Sequence, residues 1–314
     1  MARAKFLCDA ERCIECNACV TACKNEHEVP WGINRRKVVT IQDGQPGERS
    51  ISVACMHCSD APCMAVCPVD CFYQTDDGIV LSAKKHGETS AIVTLLTPGH
   101  GRHLGLVRGG GKRAGGLLQP GNLLKARWQA RLSEHLGTFR CELTEAFAAP
   151  VLRDRLKLAG LSAACAMAEG VLPERQPHRP VFEGLLALIR GLDDEDWPSA
   201  YVKWELGLLA ELGFGLDLSA CAATGQNDQL AYVSTKTGRA VSLAAAKPYK
   251  KSLLTLPDFL LHPGAAGPPD DVIRGLKLTG YFLEKNIFQH AQKGLPAARN
   301  RLTDRLRAEP ATQS

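Results

Sequence analysis

No apolar run in the chain approaches the roughly 18 residues needed to span a bilayer. The start, MARAKFLCDAERC, lacks the apolar stretch of a secretory signal. The expected setting is therefore the cytoplasm, with no membrane partner. Cysteine almost vanishes from the larger part of the chain: ten of the thirteen lie before residue 72. That crowding argues against a disulfide framework and, in a reducing compartment, for metal. No nucleophile–base constellation is present, so an enzyme is not expected. A phosphate-binding loop is missing too. GGGKR at 109–113 has Leu106 where that pattern needs Gly and Arg113 where it needs Ser or Thr. Apolar residues at 45% and charged residues at 23% read as soluble and globular, and 314 residues are enough for two domains.

Charge is unevenly spread. Residues 1–77 carry 8 Lys+Arg against 11 Asp+Glu, whereas residues 78–150 carry 10 against 4. An acidic, cysteine-rich head and a basic body suggest different partners.

In the head, CIECNACVTAC at 13–23 places Cys13, Cys16, Cys19 and Cys23 in the order C-x2-C-x2-C-x3-C. Three thiolates so spaced wrap one corner of a cubane cluster while the fourth reaches a second cluster. CMHCSDAPCMAVCP at 55–68 repeats the run with Cys55, Cys58, Cys63 and Cys67, and has two extra residues after its second cysteine. Structural zinc also uses C-x2-C pairs. Four cysteines in eleven residues, and the C-x3-C-P ending, favour iron–sulfur chemistry. Cys8 and Cys71 fall outside both runs and read as packing residues or free thiols.

FLCDAERCIECNACVTACKNEHEVPWGINRRKVVTI and CMHCSDAPCMAVCPVDCFYQTDDGIV resemble the start of the iron–sulfur (beta) subunit of formate dehydrogenase over about 80 residues. The resemblance implies electron transfer through [4Fe–4S] clusters, with a formate dehydrogenase catalytic subunit as partner. That family builds its clusters from four cysteine motifs, the first pairing with the fourth and the second with the third. This chain has only the first two. The eight candidate ligands thus form an incomplete set, low cluster occupancy is expected, and residues 1–75 are expected to be loosely ordered. Alternatively, Cys23 and Cys67 exchange roles and complete two clusters within the segment, which demands a new fold for it.

From Gly78 the chain reads as short strands separated by turn signals. GIVLSAKKHGET, SAIVTLLTPGHG, RHLGLVRGGGKR, NLLKARWQARLSEHLG and TFRCELTEAF make five, enough for a partly open OB barrel, whose face commonly binds nucleic acid. In the fourth strand Leu124, Ala126, Trp128, Ala130 and Leu132 alternate with Lys125, Arg127 and Arg131 on the opposite face. Arg102, Arg108, Lys112, Arg113, Lys125, Arg127 and Arg131 are the candidate phosphate contacts. His100, His103 and Trp128 are candidates for base stacking, although Trp128 sits on the apolar side. Cys141 and Cys165 read as small buried hydrophobes. After Pro150 the period becomes helical. Tyr201, Trp204, Leu208 and Leu212 share one face, as do Val272, Leu276, Leu283 and Ile287, and both stripes read as core. LAYVSTKTGRAVSL lies between them as a hairpin.

DGIVLSAKKHGETSAIVTLLT, HGRHLGLVRGG, LQPGNLLKARWQARLSEHLG, YVKWELGLLAELGFGLDLSACAATG and LAYVSTKTGRAVS resemble the RecO family of DNA repair proteins over residues 78 to about 308. The resemblance implies a recombination mediator that binds and anneals single- and double-stranded DNA. It implies work with RecR, the single-stranded-DNA-binding protein and a recombinase. Some relatives hold zinc by two cysteine pairs. Here Cys221 stands alone with Thr224 in the next pair position, so zinc is not expected.

Both families carry a phrase close to DGIVL, and the chain enters as one and leaves as the other at that phrase. The expected architecture is mixed α and β and multidomain. It comprises a truncated ferredoxin-like segment at 1–76, an OB-fold barrel at 77–150 and a mostly helical domain at 151–314.

Overall fold

The computed structural model of the chain describes residues 6–54, 58, 61–69, 72–74, 76–109, 115–129, 136–289 and 292–308. They fall into two units, Met1–Asp76 and Asp77–Ser314. The first holds β1 (Phe6–Cys8), α1 (Ala18–Glu26), β2 (Arg36–Ile41), β3 (Arg49–Ala54), α2 (Pro62–Ala65) and β4 (Phe72–Gln74). β2 and β3 form an antiparallel hairpin from Arg36↔Ala54 to Ile41↔Arg49, and β1 pairs with β4. The buried centre is built of sulfur more than of hydrocarbon. Cys19, Ala61 and Cys63 are buried, and Cys8, Cys13, Cys58 and Cys67 pack against them. Cys19 and Cys23 stand one turn apart on the same face of α1, both buried. The head expected to be loosely ordered therefore has a core of its own.

The second unit opens with a closed barrel of β5 (Asp76–His86), β6 (Ser90–Thr97), β7 (Gly101–Val107), β8 (Leu123–Gln129) and β9 (Thr138–Glu145), in the order β5-β6-β7-β9-β8. Closure is made by Val80, whose N–H donates to the Asn122 carbonyl at 3.0 Å and whose carbonyl accepts from Gly121 N at 2.8 Å. These are the five strands expected from the turn spacing, joined as a barrel of OB type. Val80, Val93, Leu95, Val107, Leu124, Ala126 and Phe139 fill the interior. A Cβ on Gly105 would come within 2.4 Å of the Phe139 ring, so glycine there lets the ring lie across β7.

The runs GIVL and AIVTLL are apolar on both faces because both faces are buried. Ile79, Leu81 and Leu96 point out of the barrel and join the core of the helical part. That part contains α3 (Ala148–Val151), α4 (Arg155–Val171), α5 (Arg179–Arg190), α6 (Trp197–Glu211), α7 (Pro269–Leu283) and α8 (Ala297–Ala308). Between α6 and α7, strands β10 (Leu230–Ser234), β11 (Ala240–Ser242) and β12 (Leu253–Thr255) make a three-stranded sheet that contains the expected hairpin. Asp154 caps α4 by accepting from Leu156 N and Lys157 N at 2.8 and 3.0 Å. Farther along α4, Glu169 accepts from Ser82 Oγ at 2.6 Å and Thr94 Oγ1 at 3.2 Å, pinning the helix to β5 and β6. Barrel and helices, separate segments in the sequence reading, share one hydrophobic core.

The expected helical stripes are core: Tyr201, Trp204, Leu208, Val272, Leu276 and Leu283 are buried, and Leu212 and Ile287 pack against them. A buried ion pair crosses this core. Arg299 on α8 donates Nε to Glu205 Oε1 and Nη2 to Glu205 Oε2, both at 3.1 Å, and reaches the Leu276 carbonyl and Thr303 Oγ1 as well. Thr279 donates to Glu205 from α7. Three helices are thereby tied at one point. Removing one partner strands the other charge. Arg299→Met should lower the stability of this unit by about 3–5 kcal/mol, while the double change Arg299→Met/Glu205→Leu should lose far less. Urea unfolding followed by tryptophan fluorescence decides this, and equal losses in the two variants would show that the pair is not the tie.

Candidate nucleic-acid interface and cysteine cluster

Strand register collects part of the basic set at one end of the barrel. Lys85 pairs with Ala91, Ala91 with Val107, and Leu106 with Thr138, which pairs with Gln129. Lys84, Lys85 and Arg108 therefore stand at the same end, all exposed. Lys125 is exposed on β8 opposite Glu142, and Arg140 is exposed on β9 opposite Arg127. Lys112, Arg113 and Arg131 lie outside the described residues. Lys84, Lys85 and Arg140 were not singled out in the sequence, although they contribute to the excess of cations there.

Two expected contacts are covered or engaged within the protein. Arg127, placed by simple alternation on the solvent face, is only 7% exposed. Alternation predicts which face of a strand a side chain takes, not whether that face stays open. Arg102 is engaged inside the protein: its Nε donates to the Leu172 carbonyl at 2.8 Å, and its own carbonyl accepts from Arg175 N. The segment after α4 lies so close to β7 that a Cβ on Gly101, at φ +67°, would sit 1.7 Å from the Gln176 carbonyl oxygen. Arg102 is thus a fastener between β7 and this segment.

Trp128 is held on several sides. The His103 ring lies 4.7 Å from it, the Arg175 guanidinium stands 5.4 Å over it, and its Nε1 donates to the Leu136 carbonyl at 3.0 Å. Its role is packing at the barrel mouth, as its place on the apolar side implied. His100 is exposed, and His103 is buried with Nε2 lacking a hydrogen-bond partner. Burial first, then the charges of Arg175 and His100, hold His103 down at about 4. It is therefore neutral in the folded state near neutral pH, while in the unfolded chain it takes a proton near 6.5. Stability tied to His103 is present above pH 6.5 and is lost as pH falls from there towards 4. His103→Phe should remove that loss. Its stability advantage over the parent should widen as pH drops from 7 to 4.5, and parallel urea midpoints across this range would refute the assignment.

Of the eight candidate metal ligands, Cys55 lies outside the described residues. Cys13, Cys16, Cys19 and Cys67 line one narrow cleft with Ile14, Asn17, Val38 and Val69, with room for about one water molecule, about 10 Å³. Cys23 and Cys63 are buried, and Cys58 Sγ lies 3.3 Å from His27 Nε2. Among the described residues no three His, Cys, Asp or Glu side chains converge as a ready single-ion site. Cys221 is surrounded by hydroxyls, with its Sγ 3.5 Å from Ser242 Oγ and accepting from Ser242 N at 3.3 Å. Burial raises this thiol, but hydrogen bonds from Ser242 and Thr224 outweigh that and bring it to about 6. Burial pushes Cys165 up to about 12 and Cys141 to about 11, in keeping with small hydrophobes.

The family description "Recombination protein O N terminal" matches residues 72–147, and "Recombination protein O C terminal" matches residues 152–296. DNA repair protein RecO of Rhodospirillum centenum is 55% identical over 236 residues, which cover 74% of this chain and 94% of the relative. RecO of Rhodospirillum rubrum is 50% identical over 241 residues, 74% of this chain and 96% of the relative. RecO of a Jannaschia species is 49% identical over 232 residues, 73% and 94% of the two chains. No helix among the described residues is long and apolar enough to cross a membrane. The match takes in the whole barrel and nearly all of the helical part, and over that span the chain belongs to the RecO family.

Proposed function

We propose that the chain is a DNA-repair mediator, not an enzyme, which binds single- and double-stranded DNA through exposed cations on its barrel and promotes annealing. In this reading it works in the cytoplasm with RecR and the single-stranded-DNA-binding protein to load recombinase. The observation that carries the reading is the set of exposed cations Lys84, Lys85, Arg108, Lys125 and Arg140 on a closed five-stranded barrel. Cations on such a surface neutralise phosphates and release counterions, which gives affinity without sequence preference. Electron transfer beside a formate dehydrogenase catalytic subunit is the weaker alternative, because the family match covers the barrel and helices and not the head. The head itself we read as an iron–sulfur segment. What supports it is that four cysteines from both runs line one cleft, and thiolates are the ligands that [4Fe–4S] clusters take.

The electrostatic reading is tested by salt-dependent binding of a single-stranded oligonucleotide. Replacing Lys84, Lys85, Arg108 and Lys125 by alanine should weaken binding and make the log–log salt slope shallower by up to about 3 units, at about 0.7 per phosphate contact. Arg102→Ala should leave the slope unchanged and lower stability instead. An unchanged slope in the folded quadruple variant would move the DNA path off these barrel positions.

A further inference from the structure

The small sheet between α6 and α7 carries charge that neither the barrel nor the helical core uses. Between Asp228 and Asp258 the chain has five cations, Lys236, Arg239, Lys247, Lys250 and Lys251, and no acid. Strand pairing gathers them. Ser234 of β10 lies opposite Leu253 of β12, so the turn after β10 meets the segment that enters β12. Thr235 seals this junction. Its Oγ1 donates to the Ser252 carbonyl at 2.8 Å, and its own carbonyl accepts from Lys285 Nζ at 2.6 Å. Lys236 and Lys251 therefore flank one hydrogen bond, and Lys285 in turn stands 5.9 Å over the Tyr281 ring. Residues Lys247–Ser252 form a 3-10 turn with no buried residue. Three residues make one turn of such a helix, so Lys247 and Lys250 come into line on one side. Tyr249, between them, is 64% exposed. Arg239 is paired with Asp217 at 3.1 Å, whereas among the described residues no acid pairs with Lys236, Lys247, Lys250 or Lys251. Glu284, next in sequence to Lys285, is exposed and leaves the cations in excess.

We propose that this surface is a second contact for single-stranded nucleic acid, with Lys236, Lys247, Lys250 and Lys251 on phosphates and Tyr249 stacked on a base. Two observations favour that occupant. Like charges crowded without acids repel one another, and a polyanion relieves the repulsion as it releases its own counterions. The lysines also surround one open aromatic ring. Bases and phosphates alternate along a strand, so a ring set among cations meets both at once. An acidic peptide would satisfy the lysines but offers no such regular partner for the ring. A duplex would satisfy them too, but its bases are stacked on each other and closed to Tyr249. The inference rests on the DNA-binding reading of the barrel and adds to it a contact that the barrel strands do not supply.

The full-length chain is titrated with a fluorescent thymidine oligonucleotide at several salt concentrations. Replacing Lys247, Lys250 and Lys251 by alanine should make the log–log slope shallower by about 2 units, at about 0.7 per phosphate contact. Tyr249→Ala should weaken single-strand binding on the order of tenfold with the slope unchanged. Tyr249→Phe should bind like the parent, because the ring and not the hydroxyl stacks. Duplex should bind the parent and Tyr249→Ala equally. All four side chains are exposed, so the variants should keep the parent's urea midpoint. An unchanged slope in the folded triple variant, beside a shallower one in the barrel variant, overturns this surface and leaves the barrel reading standing. No binding of the oligonucleotide by the parent overturns both. Binding of a polyglutamate peptide that the triple variant loses, while its oligonucleotide binding is intact, makes the surface a protein-docking site and overturns the proposal. The unaltered chain gives a check that needs no variant. On irradiation, a strand carrying iodouracil should crosslink to Tyr249, and crosslinks confined to the barrel would refute the site.

Discussion

Burial of the GIVL run of β5 and the AIVTLL run of β6 on both faces is the constraint on which the larger unit depends. Val80, Val93 and Leu95 face the barrel interior, and Ile79, Leu81 and Leu96 face the helices. Fully burying a side chain of this size contributes about 1.5–3 kcal/mol. The same two strands thus stabilise barrel closure and helix docking, and neither layer is complete without them. The polar links follow the same surface: Ser82 and Thr94, from these strands, hold Glu169 of α4. Farther round, Arg102 of β7 holds the chain as it leaves α4.

Charge serves two purposes in this unit, and burial separates them. Arg299 and Glu205 are 4% and 0% exposed and complete each other across three helices. Such a pair gives little net stability over an apolar substitute, but it penalises any arrangement that separates its members. Lys84, Lys85, Arg108, Lys125 and Arg140 are exposed and remain open to a polyanion. Arg102 and Arg127, basic residues on the same barrel, belong on the structural side of this division.

The head meets a different physical problem. Seventy-odd residues bury a smaller share of their surface than a larger domain does, so the core they build is marginal. Its centre is made of Cys19 and Cys63 with Cys8, Cys13, Cys58 and Cys67 around them, all as free thiols. Sulfur so placed packs as a small hydrophobe, so the cysteines supply order that hydrocarbon supplies elsewhere.

Local pattern was legible in the residues themselves. Turn spacing marks out the five strands and the later hairpin, and the 3.6-residue period marks out Tyr201, Trp204 and Leu208 as core. The two cysteine runs stand out by spacing alone. These features depend on neighbours within a few positions, so sequence determines them. Tertiary structure decided what covers each element and which distant residues meet. Arg127 obeys the strand alternation yet is buried. Arg102 is occupied by a carbonyl 70 residues away. Arg299 finds Glu205 across 94 residues. Cys67 joins Cys13, Cys16 and Cys19, while Cys23 is left out. Periodicity fixes the direction in which a side chain leaves its own strand or helix. What it meets there is set by segments far along the chain, whose approach depends on burying the shared core.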